Sequence, residues 1–203
     1  MHDALIQSFY SAIVAKVLSH QTGFRQSTDA FTAAMFHNLG RTLVIHYFSD
    51  KYEAIIDCVD QRPTDELTAA REILGIPYHE LGADVAREWK FPETIIQAML
   101  PLRRGELDSC ENDGEHIGFI VAFANQICAA ALSAELETAN DRISILCERT
   151  QRVWSVDREH LRVAFDQANA LSVNYAKLLK LDPSSQPSLV SLTRDFGFRA
   201  SID

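Results

Sequence analysis

An adjacent histidine and asparagine interrupt an otherwise apolar helical stretch. Residues 33–41 read Ala-Ala-Met-Phe-His-Asn-Leu-Gly-Arg, and His37 and Asn38 are its candidates for metal binding or directed hydrogen bonding. An imidazole is a common ligand of divalent metals, whereas an amide oxygen is neutral and binds them more weakly. A histidine on an apolar helix is also compatible with a structural role, in which a core hydrogen bond satisfies the ring. We favour the structural interpretation for His37.

A second stretch, over residues 72–92, carries further residues that could do chemistry. Its notable members are Glu72, Gly75, His79, Gly82, Ala83, Trp89 and Pro92. His79 adds a second imidazole, and Glu72 adds a carboxylate that could act as a general base or accept a hydrogen bond. Farther along, Asn125 lies in the most apolar helical stretch, where a buried amide needs a partner.

Together, the two stretches resemble the HDOD family, a branch of the HD superfamily of metal-dependent phosphohydrolases. The family pattern ends an apolar helix in Leu-His-Asp-Ile-Gly. Residues 36–40 fill this element, with Asn38 in place of the aspartate. The pattern continues with a Glu, a Gly, a His before a Gly-Ala pair, and a closing Trp-x-x-Pro, which the second stretch matches. The resemblance covers about Ser8 to Met99 and implies an all-α, compact multi-helix bundle of HD-domain type. We expect the more N-terminal helical half of the family domain to be absent.

The resemblance also implies a comparison with the metal site of active HD enzymes. There, histidines and a bridging carboxylate hold one or two divalent ions, which activate water and stabilise a phosphoryl transition state. In this sequence the early histidine aligns near Tyr10, the aspartate of the pair is Asn38, and the late aspartate aligns near Asn125. No histidine occurs over residues 99–102, where another ligand is expected. Two imidazoles remain, and two rarely hold a catalytic ion.

We therefore predict a vestigial polar cluster without metal. Its members are His37, Asn38, Glu72, His79 and Asn125. Glu72 is predicted to be a buried hydrogen-bond partner, and His79 a residue at the N-terminus of a helix. No catalytic residue and no cofactor is predicted. If a metal binds at all, its candidate ligands are His37 and His79.

The elements that must position these residues are predicted from periodicity, which is helical almost throughout. The predicted helices cover about 5–18, 27–43, 51–59, 64–74, 78–89, 94–100, 117–136, 141–148 and 157–181. Gly40 predicts a bend or break in the second helix. Trp89 shares a stripe with Leu81 and Val85, which predicts that it lies in the core. We divide the chain into a helical domain over 1–181 and a linker-like, Pro- and Ser-rich tail over 182–203.

Composition and charge exclude several classes of function. The chain has 203 residues, of which 47% are hydrophobic and 23% charged, so we expect a globular protein. Its net charge of −9 argues against general nucleic-acid binding and against docking on anionic membranes. No apolar stretch reaches the roughly 18 residues of a membrane span. The four cysteines form no CxxC pair, which argues against a zinc knuckle and favours free thiols in the cytoplasm.

Two functions stay open at this point. The first is a non-enzymatic regulatory module of bacterial signal transduction, which acts through a protein partner or through homo-oligomerisation. The second is a metal-dependent phosphohydrolase acting on a nucleotide or phosphate ester, which would need further ligands such as Glu72, Glu80 or Asp84. Bound metal discriminates between them. A third possibility is small-ligand sensing in the pocket beside His37, Asn38 and Asn125.

Overall fold

A computed structural model describes residues 2–24, 26–101, 113–131, 136–150 and 156–178 of the chain. The helices are α1 (His2–Gln21), α2 (Ser27–Phe36), α3 (Leu39–Tyr47), α4 (Ser49–Gln61), α5 (Glu66–Leu74), α6 (Tyr78–Glu88), α7 (Glu93–Met99), α8 (Asp113–Ala131), α9 (Leu136–Thr150) and α10 (Arg158–Leu178). Within these ranges there is no β-strand, so the all-α prediction is confirmed. The predicted tail and Cys110 lie outside the described residues.

Two hydrophobic cores organise these helices. The larger core surrounds α8, which packs against α1, α2, α7 and α9, while α10 packs on α1. The smaller core lies among α3, α4, α5 and α6, and its buried members are Val44, Ile55, Cys58, Ala69, Ala70 and Tyr78. Residues of α6 line both cores, because Tyr78 faces the small one while Ala83 and Ala86 face the large one. The pair α3 and α6 therefore joins the two halves of the bundle.

The break in the second predicted helix falls at His37 and Asn38, before Gly40. Helix α2 ends at Phe36, α3 begins at Leu39, and Asn38 leaves helical geometry with φ −97° and ψ 17°. Gly40 lies inside α3 and serves a different purpose. A Cβ atom at Gly40 would lie 1.9 Å from the Tyr78 carbonyl oxygen and 2.9 Å from the Gly82 nitrogen. Gly40 is thus required by the close approach of α3 to α6.

The prediction that Trp89 lies in the core is wrong, because its side chain is 52% exposed. Helix α6 ends just before it in a Schellman motif, in which Phe91 N–H donates to the Ala86 carbonyl at 3.0 Å and Lys90 N–H donates to the Arg87 carbonyl at 2.9 Å. This turn directs the Trp89 ring against Phe36 and Phe91, with ring centroids 6.5 and 6.1 Å away. Trp89 therefore covers the edge of the large core from outside.

The cysteines that the structure describes, Cys58, Cys128 and Cys147, are buried free thiols. Burial raises the pKa of Cys128 to about 12, so this thiol stays protonated and behaves as a small core residue.

Among the described helices, none is long and apolar enough to cross a lipid bilayer.

Candidate functional site

The contact between α3 and α6 places the candidate residues. Gly40 and Gly82 face each other closely enough that a Cβ at Gly82 would lie 2.9 Å from the Gly40 nitrogen. His37 and Asn38 connect α2 to α3, and we call them the α2–α3 joint. The glycine contact fixes this joint and the start of α3 against the first turn of α6, which carries His79. His79 lies at the second position of α6, where the sequence predicts a helix N-terminal residue.

His37 is held neutral in this environment. Burial, and second to it the neighbouring His79, lower the pKa of His37 from 6.5 to about 4. Its Nδ1 atom is inaccessible and finds no hydrogen-bond partner among the described residues. An imidazole that served as a metal ligand would have its second nitrogen oriented by a carboxylate, a carbonyl or a water. Over the described ranges no protein group orients His37 through Nδ1, so the core hydrogen bond expected of this ring is not found at that atom.

Asn38 and Asn125 form a directed chain of hydrogen bonds. Asn38 Nδ2 donates to Asn125 Oδ1 at 3.2 Å, and Asn125 Nδ2 donates to the Val121 carbonyl at 2.9 Å. Asn125 is 6% exposed and lies among apolar residues of α8, so these bonds offset the cost of burying its amide. The chain ties the α2–α3 joint to α8. Sequence reasoning placed these two residues together, and the structure brings them into contact.

Glu72 does not belong to this cluster, and the prediction that it is buried is wrong. Its side chain is 59% exposed, and its nearest cationic partner is Arg62, at 3.7 Å on the surface. The reason is the orientation of α5, whose buried face carries Ala69 and Ala70 while Glu72 lies on the solvent side. The family pattern supplied the position of Glu72 but not its orientation.

Two other positions compared with the HD site are occupied by core residues. Tyr10 is fully buried in α1. Its hydroxyl has two acceptors within hydrogen-bond distance, Asn169 Oδ1 at 2.8 Å and the Phe165 carbonyl at 3.2 Å. Burial raises the pKa of Tyr10 far above its ordinary range, so the phenol stays neutral and joins α1 to α10. Met99 is buried in the large core.

A second polar cluster, which the sequence analysis missed, lies beside the joint. Arg41 Nε donates to Glu66 at 2.6 Å, Arg41 Nη2 donates to the Tyr52 hydroxyl at 2.7 Å, and the Tyr78 hydroxyl donates to Glu66 at 3.3 Å. The guanidinium also lies over the Tyr52 ring, 5.4 Å from its centroid. The cluster connects α3, α4, α5 and α6. The available signal was the position of Arg41, one helical turn after His37.

The donor set at the joint does not fit a divalent ion. It consists of two imidazoles and two amides, one of which already donates to the other, and it includes no carboxylate. In the described part of the chain, no three His, Cys, Asp or Glu side chains are grouped so that they could hold a metal. Asn38 and Asn125, at the two positions that the resemblance compares with carboxylates, are neutral amides and do not neutralise such an ion.

Comparisons with solved structures agree with this fold. An HDOD domain protein of unknown function from Geobacter sulfurreducens has a TM-score of 0.60 and 17% identity, over 83% of this chain and 59% of that chain. The structure named "Putative phosphohydrolase" from Shewanella amazonensis SB2B has a TM-score of 0.57 and 18% identity, over 93% of this chain and 61% of that chain. This chain thus corresponds to about three fifths of each.

No curated protein matches the chain at a significant level. The HDOD domain model matches residues 1–102, half of the sequence, and this segment contains the joint, the glycine contact and the Trp-x-x-Pro turn. The chain therefore belongs to the HDOD domain family.

Proposed function

We propose that the protein is a non-enzymatic regulatory module of bacterial signal transduction, which acts in the cytoplasm through contacts with a protein partner. The observation that carries the proposal is the hydrogen bond between Asn38 and Asn125, at the two positions compared with carboxylates of active HD enzymes.

The chemistry of this pair supports a function without metal. Two carboxylates at the same separation of 3.2 Å would repel each other strongly in a buried site, so a cation or a proton would have to lie between them. Two amides need neither, because one supplies the donor and the other the acceptor. The pair thus holds the α2–α3 joint on α8 in an electrically neutral site. The neutral state of His37 is consistent with this arrangement.

The alternative is a metal-dependent phosphohydrolase acting on a nucleotide or phosphate ester. The proximity of His37 and His79 favours it, as does the likeness to a structure named a phosphohydrolase. It would need a carboxylate ligand from the same region. Glu80 and Asp84 are exposed on α6, and Asp84 pairs with Arg87 at 2.7 Å. These positions give the alternative less support than the proposed module has.

A hydrolysis assay separates the two. We would follow p-nitrophenyl phosphate, a bis(p-nitrophenyl) phosphodiester and a set of nucleotides with Mg²⁺, Mn²⁺, Fe²⁺ or Zn²⁺ at millimolar concentration. The proposal predicts no turnover above the metal-only blank. Turnover that disappears in His37→Gln and persists in His20→Gln, an exposed histidine of α1, would overturn it.

A further inference from the structure

Helix α4 has one face that no described element covers. It packs on α3 and α5 through buried Ile55 and Cys58. The opposite face carries Asp50, Glu53, Asp57 and Asp60, which are all exposed. At about 100° per residue, these four lie with Ser49, Ala54 and Gln61 within an arc of about 140° that has no cationic side chain. We call this arc, with the two aromatic residues that precede it, the α4 surface.

No cation of the described residues balances the charge on the α4 surface. In the parts of the chain that the structure describes, no cation lies within ion-pair distance of these four carboxylates. Successive acids are three or four residues apart, where like charges destabilise a helix by a few tenths of a kcal/mol per pair. Asp57 and Asp60 also lie near the C-terminus of α4, where the helix dipole disfavours negative charge. We call these four carboxylates the acidic stripe. Their mutual repulsion therefore lowers the stability of the isolated protein.

Exposed aromatic rings lie at the N-terminal end of the same helix. Tyr47 and Phe48, which directly precede α4, are 69% and 54% exposed. Exposed aromatic side chains beside a charged surface are typical anchors of protein interfaces, because their rings bury a large area when a partner docks. The α4 surface thus combines an apolar anchor point with a line of negative charge about 15 Å long.

We propose that the α4 surface docks a cationic segment of a partner protein, with an apolar side chain against Tyr47 and Phe48 and Lys or Arg residues along the acidic stripe. This inference rests on the proposed function as a protein-contact module and names the chemistry of the partner. The sign of the charge disfavours nucleic acid and anionic membrane. A symmetric contact with a second copy is also disfavoured, since it would set the same acidic stripe against itself.

The test uses a helical peptide of defined chemistry. The peptide carries Lys at positions 1, 4, 8 and 11, which repeat the spacing of the four acids on α4, and a terminal Leu to contact Tyr47 and Phe48. Its affinity for the full chain is measured by calorimetry at low and moderate salt. We expect the Glu53→Gln/Asp57→Asn variant to bind about fivefold more weakly, equivalent to about 1 kcal/mol. The matched control, Glu88→Gln/Glu148→Gln, removes the same number of charges from exposed positions on α6 and α9 and should change the affinity less than about twofold.

The anchor is tested separately. The Phe48→Ser variant should also weaken binding but keep the salt dependence, because it removes apolar contact and leaves the charges in place. Amide shift perturbations should fall on α4 and on residues 46–48. Equal losses in the stripe variant and its control, perturbations on another face, or a dimer that depends on the stripe in sedimentation would each overturn the inference. None of these results changes the hydrolysis assay, so the two proposals fail independently.

Discussion

At the residue scale, Asn125 places a neutral amide where a carboxylate would bring a buried charge. In Asn125→Asp, Asn38 can still donate to the new side chain, but the carboxylate faces the Val121 carbonyl oxygen at the former 2.9 Å contact. We expect a loss of about 2 kcal/mol in the free energy of unfolding at pH 7. The matched control is Gln126→Glu, which makes the same charge change at the exposed neighbouring position and should alter stability little.

The sign of the pH effect checks the physical cause. Burial should raise the pKa of an aspartate at position 125 in the folded state, so its penalty is largest above this raised folded-state pKa and disappears as the pH falls to the unfolded pKa. Urea unfolding at pH 7 and pH 4.5 should show the deficit of Asn125→Asp shrinking at the lower pH. A deficit that is equal at both values would contradict burial of charge as the cause.

We expect His37 to cause a second pH dependence of the free energy of unfolding. Its pKa is lowered to about 4 when folded, by burial and then by His79, whereas its ordinary value is 6.5. Between these values the unfolded chain binds a proton that the folded chain does not, so stability falls as pH falls from about 6.5 to 4. The contribution is about 3 kcal/mol over that window. His37→Gln, which cannot protonate, should show correspondingly less acid destabilisation in urea titrations, and His20→Gln should follow the wild type.

At the scale of elements, the contact between α3 and α6 is the most sensitive point of the fold. Gly40→Ala places a methyl group 1.9 Å from the Tyr78 carbonyl oxygen, so the two helices must separate. We expect a loss of at least about 3 kcal/mol, or failure to fold. Gly75→Ala is the comparison, because Gly75 has φ 76° and open space around it, so its cost is about 1 kcal/mol of backbone strain. Thermal denaturation of both variants ranks them, and the reverse order would refute the packing account.

The C-terminus of α6 offers the opposite outcome, a stabilising substitution. Lys90 adopts φ 59° at the position of the Schellman motif that glycine usually occupies. Lys90→Gly should relieve about 1 kcal/mol of strain without touching the Trp89–Phe91 contact. The Gly variant should therefore have a higher melting temperature than Lys90→Ala, which keeps the strain. Equal melting temperatures for these two variants would show that the left-handed conformation is not retained in solution.

The elements and the site were predictable to different degrees. Apolar spacing located the helices that the structure describes, because burial of one face imposes the helical period on the sequence. The break at His37 and Asn38 was not predictable from Gly40, since that glycine serves a tertiary contact. The exposure of Glu72 and Trp89 depends on how α5 and α6 are rotated in the bundle. Spacing along the chain does not specify this rotation, and it also could not show that Arg41 meets Glu66.

For the molecule as a whole, the fold does not by itself determine the chemistry of the site. The bundle is shared with structures of 17% and 18% identity, which shows that many sequences satisfy the same packing. Function depends on the site and the surface. In this chain Asn38 and Asn125 bring no charge to the site, and α4 carries four of the 28 acidic residues on a face that no described element covers. A module whose internal site lacks charge and whose outer face concentrates it is suited to binding a protein partner.

The central claim, that this HDOD domain works without a metal, is tested most directly by calorimetric titration of the metal-stripped protein with Mn²⁺, Fe²⁺ and Zn²⁺. We expect no binding up to millimolar metal, because Asn38 already donates to Asn125 and two imidazoles alone make a weak site. Tight binding that is lost in both His37→Gln and His79→Gln, and retained in His20→Gln, would contradict it.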